Sequence, residues 1–402
     1  MNFRKKIENQ YIKIKDYFWF RFFWLRKQHG HQKPVSKTIL IIRIDAIGDC
    51  IIWLDQAKEY RKAFPNHKLV LLHNKVWSEI AERLPWFDEC IPFDRTKIAD
   101  VEYYKSLIAL INRYTYEKIF SPVFSRDLVT VDWLVHNINA KEKIGYEGDY
   151  HNNFWIKDNN RYVRKHKEKL DIKSIADSWY TYLVPNDSSC MMELQRNAHF
   201  VRCTMDSNFL SHLPSIPFDT QSSIITDQSD YAVIFLGASV VHRTWPIKNF
   251  AIISEHLPFQ TLVLCGSIAE KQLADEFMSC YEGQQNIIDI TGKTSLIDLI
   301  GIIAKGVVLI SNETSASHIA VATHTPSICL LGGGHYGRFH PYHPDVLSDE
   351  ERNILPIIIT CKDHSCFGCN WNCRYPLINN RWRCIAEIRP EDVNDFITDN
   401  NR

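Results

Sequence analysis

The chain carries no charge imbalance: 47 lysines and arginines face 47 aspartates and glutamates over 402 residues. Without a global field there is little to draw in a polyanion, so no nucleic acid is expected as a partner and any basic surface must be local. No run of about 18 apolar residues occurs, which excludes a helix that crosses a bilayer. The first strand-turn-helix, RIDAIGDC at 43–50, lacks G-x-G-x-x-G, so no dinucleotide site is indicated there. Seven of the twelve cysteines stand singly, Cys265 and Cys329 among them in apolar surroundings. That usage disfavours a disulfide framework and suits reduced thiols in the cytoplasm.

What is present is a chain 45% hydrophobic and 12% aromatic, long enough for two domains of ordinary size. Residues 1–37 stand apart. They hold ten lysines and arginines against only Glu8 and Asp16, around the block YFWFRFFWL at Tyr17–Leu25. Aromatic rings settle at headgroup level and cations meet anionic lipid, so this reads as a helix lying on the inner face of a membrane. The other reading docks the aromatic block on the globular body or on a second copy of the chain. A signal peptide does not fit, because Arg21 interrupts the apolar core and no small-residue cleavage site follows.

From Thr38 the pattern is α/β. Strands are expected at Thr38–Arg43, Lys68–His73, Cys90–Phe93, Lys118–Ser121 and, last, Lys143–Tyr146, with helices between them at Cys50–Ala63, Val76–Leu84, Tyr103–Tyr114 and Leu128–Ile138. Strands alternating with helices of this length build βαβ units and a parallel sheet. Residues 186–230 lose periodicity and read as a linker with local structure near Ala198–Thr204. The alternation resumes at 231–360, and 361–402 is a cysteine-rich segment ending in a helix at Pro390–Asp399 expected to close back on the first domain. The expectation is two Rossmann-like domains, at 38–185 and 231–360, facing a cleft, an architecture used by nucleotide-sugar enzymes. Ligands of such sheets sit beyond the carboxyl ends of the strands.

The second domain centres on GVVLISNETSASHIAVATHTPSIC at 306–329: a buried strand, a polar turn, a short helix, a second strand. Glu313, Thr314 and Ser315 fill a turn at a strand's carboxyl end and a helix's amino end, where N–H groups and the helix dipole favour a phosphate. The competing reading is that Asn312 or Thr314 caps the helix and nothing binds. Arg243, in the loop before Trp245-Pro246, is placed to neutralise a diphosphate leaving group. Glu270, in GSIAEK, is placed to accept from ribose hydroxyls, although exposed Arg and Glu in loops are more often solvated. In the first domain Asp49 follows Gly48 at a helix start, where it serves either as a dipole-stabilised carboxylate or as a general base. Asp127, beside Arg126 in SRDL, is a second candidate base, with Arg126 equally readable as an ion-pair partner.

Five cysteines crowd into 361–384 with His364: Cys361, Cys366, Cys369, Cys373 and Cys384. Cys366-x2-Cys369, completed by Cys373 and Cys384, has spacing suited to a tetrahedral structural zinc or iron. Free thiols and disulfides are the alternatives, the last disfavoured in a reducing compartment.

Taken in order, IGD at 47–49, RTWP at 243–246, GSIAEK at 266–271 and NETSASH at 312–318 resemble glycosyltransferase family 9, the ADP-heptose:lipopolysaccharide heptosyltransferases, from about residue 38 onward. The resemblance implies a GT-B fold and an inverting transfer that needs no metal. Asp49 falls where the family has its proposed base, and Arg243 where it has a lysine on the donor phosphate. Glu313, Thr314, Ser315 and His318 fall on the family's acidic-Thr-Gly-x-x-His turn, which binds donor phosphate and sugar. Arginine thus replaces lysine, glutamate aspartate and serine glycine, keeping charge type but changing reach. The implied donor is ADP-heptose, and the implied acceptor is a lipopolysaccharide core, another surface glycan or glycolipid, or a protein. Two other readings stay open: transfer from a different nucleotide sugar, and a catalytically silent homologue that binds nucleotide sugar. A related nucleotide-sugar epimerase fits the ordered motifs less well. Similar carboxy-terminal cysteine groups occur in family members.

Overall fold

The protein is described from a computed structural model covering residues 34–98, 100–150, 172–220, 222, 224–225, 230–361, 364 and 366–399. The aromatic block Tyr17–Leu25, expected at a membrane interface, lies outside the described residues. Among the described residues no helix is long and apolar enough to cross a membrane.

The chain divides into two compact units. It leaves the first at Asp45 to contribute Ala46–Ala63 and Glu79–Trp86 to the second, and passes to the second for good at Asp187.

The first unit is built on β1 (Val35–Arg43), β2 (Lys68–Asn74), β3 (Glu89–Phe93), β4 (Thr115–Ser121), β5 (Ala140–Tyr146) and β6 (Tyr182–Val184), all parallel in the order β3-β2-β1-β4-β5-β6. Ile39–Ile42 and Leu69–Leu72 are fully buried, as a strand covered by helices on both faces must be. The sheet does not end at Lys143–Tyr146 as expected. The three-residue β6 pairs with β5, and Pro185 follows it directly, so its apolar signal is too short to read. The helix expected at Val76–Leu84 is shorter: a 3₁₀ turn at Lys75–Trp77 capped by Asn74, then Ser78–Ala81. Leu128–Ile138 is likewise one π turn, Leu128–Asp132, running into a short helix at Trp133–Asn137.

The second unit repeats the plan. Its strands are β7 (Tyr231–Phe235), β8 (Thr261–Cys265), β9 (Asn286–Asp289), β10 (Val308–Asn312), β11 (Ser327–Leu330) and β12 (Ile357–Ile359), parallel in the order β12-β11-β10-β7-β8-β9. Counted from each unit's first strand, the two orders are the same 3-2-1-4-5-6 arrangement, with the direction of winding reversing between β1 and β4 and between β7 and β10. Ligands of open parallel sheets bind beyond the strand ends at such a reversal. The loops after β7 and β10 carry Arg243 and Glu313.

The stretch expected to be a linker contains the helix Glu193–Thr204. Its lead-in Met192, with Leu194 and Leu213, packs against Ile52, Val321 and Tyr342. The helical period is obscured because Glu193 and Asn197 are also buried, Glu193 held by Arg196 and Arg338. The terminal helix is found at Pro390–Asp399, and its Val393 lies in the second unit's own core with Trp245 and Ile388.

Candidate active site

Arg243 is positioned by its neighbour. Trp245 is fully buried, its Nε1 donates to the Ile388 carbonyl at 2.9 Å, and its backbone N–H donates to Asn312 Oδ1 at 2.7 Å. Burying a side chain of this size contributes about 2–3 kcal/mol, so the loop after β7 is pinned two residues beyond Arg243. Asn312 completes the tie by donating from Nδ2 to the carbonyls of Leu236 and Gly237 at 2.8 and 3.2 Å.

The guanidinium then meets Glu313. Nη2 lies 2.8 Å from Oε2 of the carboxylate, Nη1 donates to Ser239 Oγ at 2.9 Å, and Nε has no hydrogen-bond partner among the described residues. His335 Nδ1 stands 3.6 Å from the other carboxylate oxygen. Burial pushes the Glu313 carboxyl up, but Arg243 and His335 outweigh it and hold it at about 2, so it is ionised at any physiological pH.

Thr314 precedes the helix Ser315–Ala322 and its side chain makes no capping hydrogen bond, while Asn312 is spent between strands. Neither residue caps this helix. Its first N–H groups are therefore met by no cap side chain and point along the dipole at an anion's position. Ser317 Oγ turns inward to His340 Nε2 at 2.9 Å.

His318 lies one turn further in and is buried. Nδ1 is 2.8 Å from Tyr342 Oη, and the ring stacks on His340 with centroids 4.6 Å apart and planes 4° from parallel. Burial first, then the neighbouring His340, keeps His318 well below its ordinary 6.5, so the stack is uncharged at neutral pH. The ring's other edge meets the Ile47–Ala63 helix: a Cβ at Gly48 would stand 2.9 Å from His318 Cδ2 and 3.7 Å from Ser315 Cα. Glycine is required at position 48 by that approach. Asp49, the next residue, accepts the Ala46 N–H at 3.3 Å on Oδ2.

The remaining candidates are placed less centrally. Glu270 closes a capping box with Ser267, whose N–H and hydroxyl both donate to its Oε2, so half of the carboxylate expected on a ribose is spent on a turn. Asp127 accepts the Thr130 N–H at 3.1 Å. Arg126 is the ion-pair partner its alternative reading described. It is buried between Asp132 and Asp177 at 2.9 and 2.6 Å and lies over the rings of Tyr150 and Tyr180.

Sequence reasoning missed Trp371 and the turn beneath it. The Trp371 ring covers Arg243 at 4.7 Å, and it lies where a Cβ on Gly332 or Gly334 would go, as Phe367 does at Gly333. The signal was present as G-x-G-x-x-G at 332–337, directly after β11. Here the missing side chains admit aromatic rings of the cysteine-rich segment instead of a dinucleotide. The same segment donates Gly368 N–H to Gly333 and Asn370 N–H to Gly334, and Cys384 Sγ accepts the Gly333 N–H at 3.3 Å. Cys366, Cys369, Cys373 and Cys384 are thiols close enough to act on one another's charge. The triads whose ligand atoms already lie within 4.8 Å of one another are elsewhere among the described residues, at Cys361/His364/Glu387 and Asp187/Cys190/His199.

Residues 113–351 of the 402 match glycosyltransferase family 9 (heptosyltransferase). Lipooligosaccharide heptosyltransferase 2 of Haemophilus influenzae is 28% identical over 112 residues, which are 27% of this chain and 31% of that protein, so the match spans about a third of the relative's length. Among solved structures, the Escherichia coli ADP-heptose lps heptosyltransferase II is similar with a TM-score of 0.61 at 13% identity, over 91% of this chain and 100% of that one. The iron-containing dodecameric glycosyltransferase TibC of enterotoxigenic E. coli H10407 is similar with a TM-score of 0.52 at 13% identity, over 92% of this chain and 78% of that one. At such identities the structures speak for the fold, the GT-B arrangement of two parallel-sheet α/β units. With the family match running through β4 to β11 and over both loops of the second sheet's winding reversal, the chain belongs to glycosyltransferase family 9.

Proposed function

We propose that this chain is an inverting heptosyltransferase that uses ADP-heptose and a surface-glycan, glycolipid or protein acceptor. The observation that carries this reading is the convergence of Arg243, Glu313 and the uncapped Ser315 helix, with the start of the Asp49 helix against Ser315 and His318. The diphosphate of the donor takes the helix N–H groups and Arg243. Glu313, Thr314 and Ser315 meet sugar and ribose hydroxyls, and His318 holds the Asp49 helix in place. As the acceptor oxygen bonds to the anomeric carbon, the bond to the diphosphate breaks, the electron pair leaves on the phosphate oxygen, and the proton passes to Asp49. Charge on the leaving group is met by protein groups, so this step is written without a metal. A weak base suffices, because the hydroxyl turns acidic only as its bond forms.

The names of the relatives support the donor: the E. coli structure is of an ADP-heptose enzyme and the Haemophilus protein is a lipooligosaccharide heptosyltransferase. The four thiols of Cys366, Cys369, Cys373 and Cys384 are the donor set for a structural iron or zinc, supported by the N–H bond that Cys384 already receives and by a related transferase that contains iron, and binding would draw their sulfurs closer together than they stand here. Bound there, the ion would brace the segment that carries Trp371. Residues 38–185 serve as the acceptor side and 231–360 as the donor side, with residues 1–37 resting on the inner membrane surface. Incubation with ADP-heptose and a panel of UDP- and GDP-sugars, following release of the nucleoside diphosphate, tests the reading. Release from ADP-heptose with an acceptor extract supports it, and release from none of them contradicts it.

One observation favours a silent nucleotide-sugar binder. Glutamate, one carbon longer than the family's aspartate, reaches Arg243 and pairs with the cation the diphosphate needs. Glu313→Asp separates the two readings: it raises turnover if the pair only competes with donor, and leaves an inactive protein inactive if chemistry has been lost.

A further inference from the structure

Two cysteines that the sequence presents as isolated, Cys190 and Cys203, are not isolated in the fold. With Asp187 and His199 they form D-x2-C-x8-H-x3-C, in which the first pair sits in the loop after β6 and the second on the helix Glu193–Thr204. His199 and Cys203 are four residues apart, so they share one face of that helix.

Three of the four residues, Asp187, Cys190 and His199, already bring their ligand atoms together, and Cys203 adjoins them through His199. Asp187 Oδ2 lies 3.7 Å from Cys190 Sγ, and Cys203 Sγ lies 3.7 Å from His199 Nε2. A tetrahedral zinc with Zn–S of about 2.3 Å and Zn–N or Zn–O of about 2.0–2.1 Å sets such ligands about 3.6 Å apart. The ligand atoms of Asp187, Cys190 and His199 all lie within 4.8 Å of one another. The carboxylate is held in a suitable orientation as well. Its Oδ1 accepts the N–H and hydroxyl of Ser189 at 2.8 and 2.6 Å, which turns Oδ2 toward the sulfur. Hydrogen bonds to the outer oxygen are how metal-binding carboxylates are fixed in place.

We propose that Asp187, Cys190, His199 and Cys203 bind a zinc ion that staples the loop after β6 to the helix Glu193–Thr204. Two thiolates, one imidazole and one carboxylate are a borderline-soft set of the kind zinc takes, and four protein ligands make a closed structural site. Arg202, paired with Asp345 at 3.0 Å, is a cation in range of both sulfurs and offsets the net negative charge of the loaded site. The group at Cys361/His364/Glu387 differs, because the Glu387 oxygen that faces it is already paired with His364 Nε2 at 2.8 Å, closer than two ligands of one zinc stand. The zinc site is separate from the Cys366 to Cys384 cluster and from the transfer chemistry.

The test is metal content of the full chain purified without chelator and then equilibrated with excess zinc and desalted. Wild type is compared with Cys203→Ser and His199→Ala, and all three with a Cys366→Ser/Cys369→Ser background that removes the other thiol group. His199→Ala should lose one equivalent of zinc in either background. Replacing zinc by cobalt should give a thiolate-to-cobalt charge-transfer band that falls to about half in Cys203→Ser. Because Cys203 is exposed, that variant should keep its circular dichroism, which separates loss of the ion from loss of the fold. Equal zinc in wild type and both variants, or less than about half an equivalent retained in the Cys366→Ser/Cys369→Ser background, overturns the site.

Discussion

Arg243 and Glu313 come from loops 70 residues apart in the chain and pair at 2.8 Å where the second sheet reverses its winding. The pair makes the cation proposed to meet the diphosphate and the acidic residue of the turn one unit, so neither can be changed alone without consequence. Arg243→Ala should lower turnover by about 10²–10³-fold, the usual loss on removing one donor to a leaving group. It should also destabilise the fold by about 3–5 kcal/mol, because Glu313 would stay buried without its cation. Arg243→Lys should recover most of the stability and part of the rate. Nucleoside diphosphate release and urea unfolding on the same preparations check both effects.

Trp371 should act through Arg243. Gly334→Ala places a methyl inside the Trp371 ring position and must displace the ring from the guanidinium. The expected result is weaker donor binding, in both Gly334→Ala and Trp371→Ala, with a red-shifted tryptophan emission in the former as the ring reaches water. Calorimetric titration with ADP-sugar checks it, and an unchanged donor Kd in both variants contradicts the role.

Stability should carry the imprint of His340. Burial pulls its ring from the ordinary 6.5 down to about 4. Between those values the unfolded chain takes a proton that the folded chain refuses. The contribution is therefore whole above about pH 6.5, declines as pH falls toward about 4 and is lost below, a total of order 3 kcal/mol. Glu313 adds a second loss further down, between the ordinary 4.5 and about 2, as its carboxylate is protonated away from Arg243. His340→Gln keeps a polar partner for Ser317 and should reduce the slope of the unfolding free energy between pH 4 and 6.5, leaving the part that His318 supplies; an unchanged slope contradicts the assignment.

Arg126 should be a stability residue and not a catalytic one. It is buried against Asp132, to which Tyr150 and Tyr180 also donate. Arg126→Met strands that carboxylate and should cost about 3–5 kcal/mol in urea unfolding. Donor binding below the melting temperature should be unchanged.

Much of this fold is legible in the chain because buried parallel strands announce themselves. Ile39–Ile42 and Leu262–Cys265 are unbroken apolar runs, and the turn before Ser315 lies where a strand pattern gives way to a helical one. Arg243 and Glu313 could be named from their loops for the same reason. The misses have equally plain causes. β6 and β12 are three residues long, below the length at which periodicity speaks. Local structure was expected at Ala198–Thr204, but the start of the helix Glu193–Thr204 hides behind a buried glutamate whose two arginines lie at 196 and 338. His340 and Tyr342 lie in a loop, and only the stack on His318 shows their part. The glycines at 332–334 matched a phosphate-binding pattern but are approached by aromatic rings from 34 to 39 residues further along the chain, a pairing that no local pattern encodes.

The proposed transfer has Asp49 taking the acceptor's proton beside a donor held by the Arg243 and Glu313 turn. The direct measurement is Asp49→Asn, with transfer followed in single turnover and ADP-heptose binding followed by calorimetry. Transfer should fall by about 10²–10⁴-fold while the donor Kd stays within about threefold of wild type. Turnover close to that of the wild type would contradict this role and move the base to another group, with Asp127 the first to test.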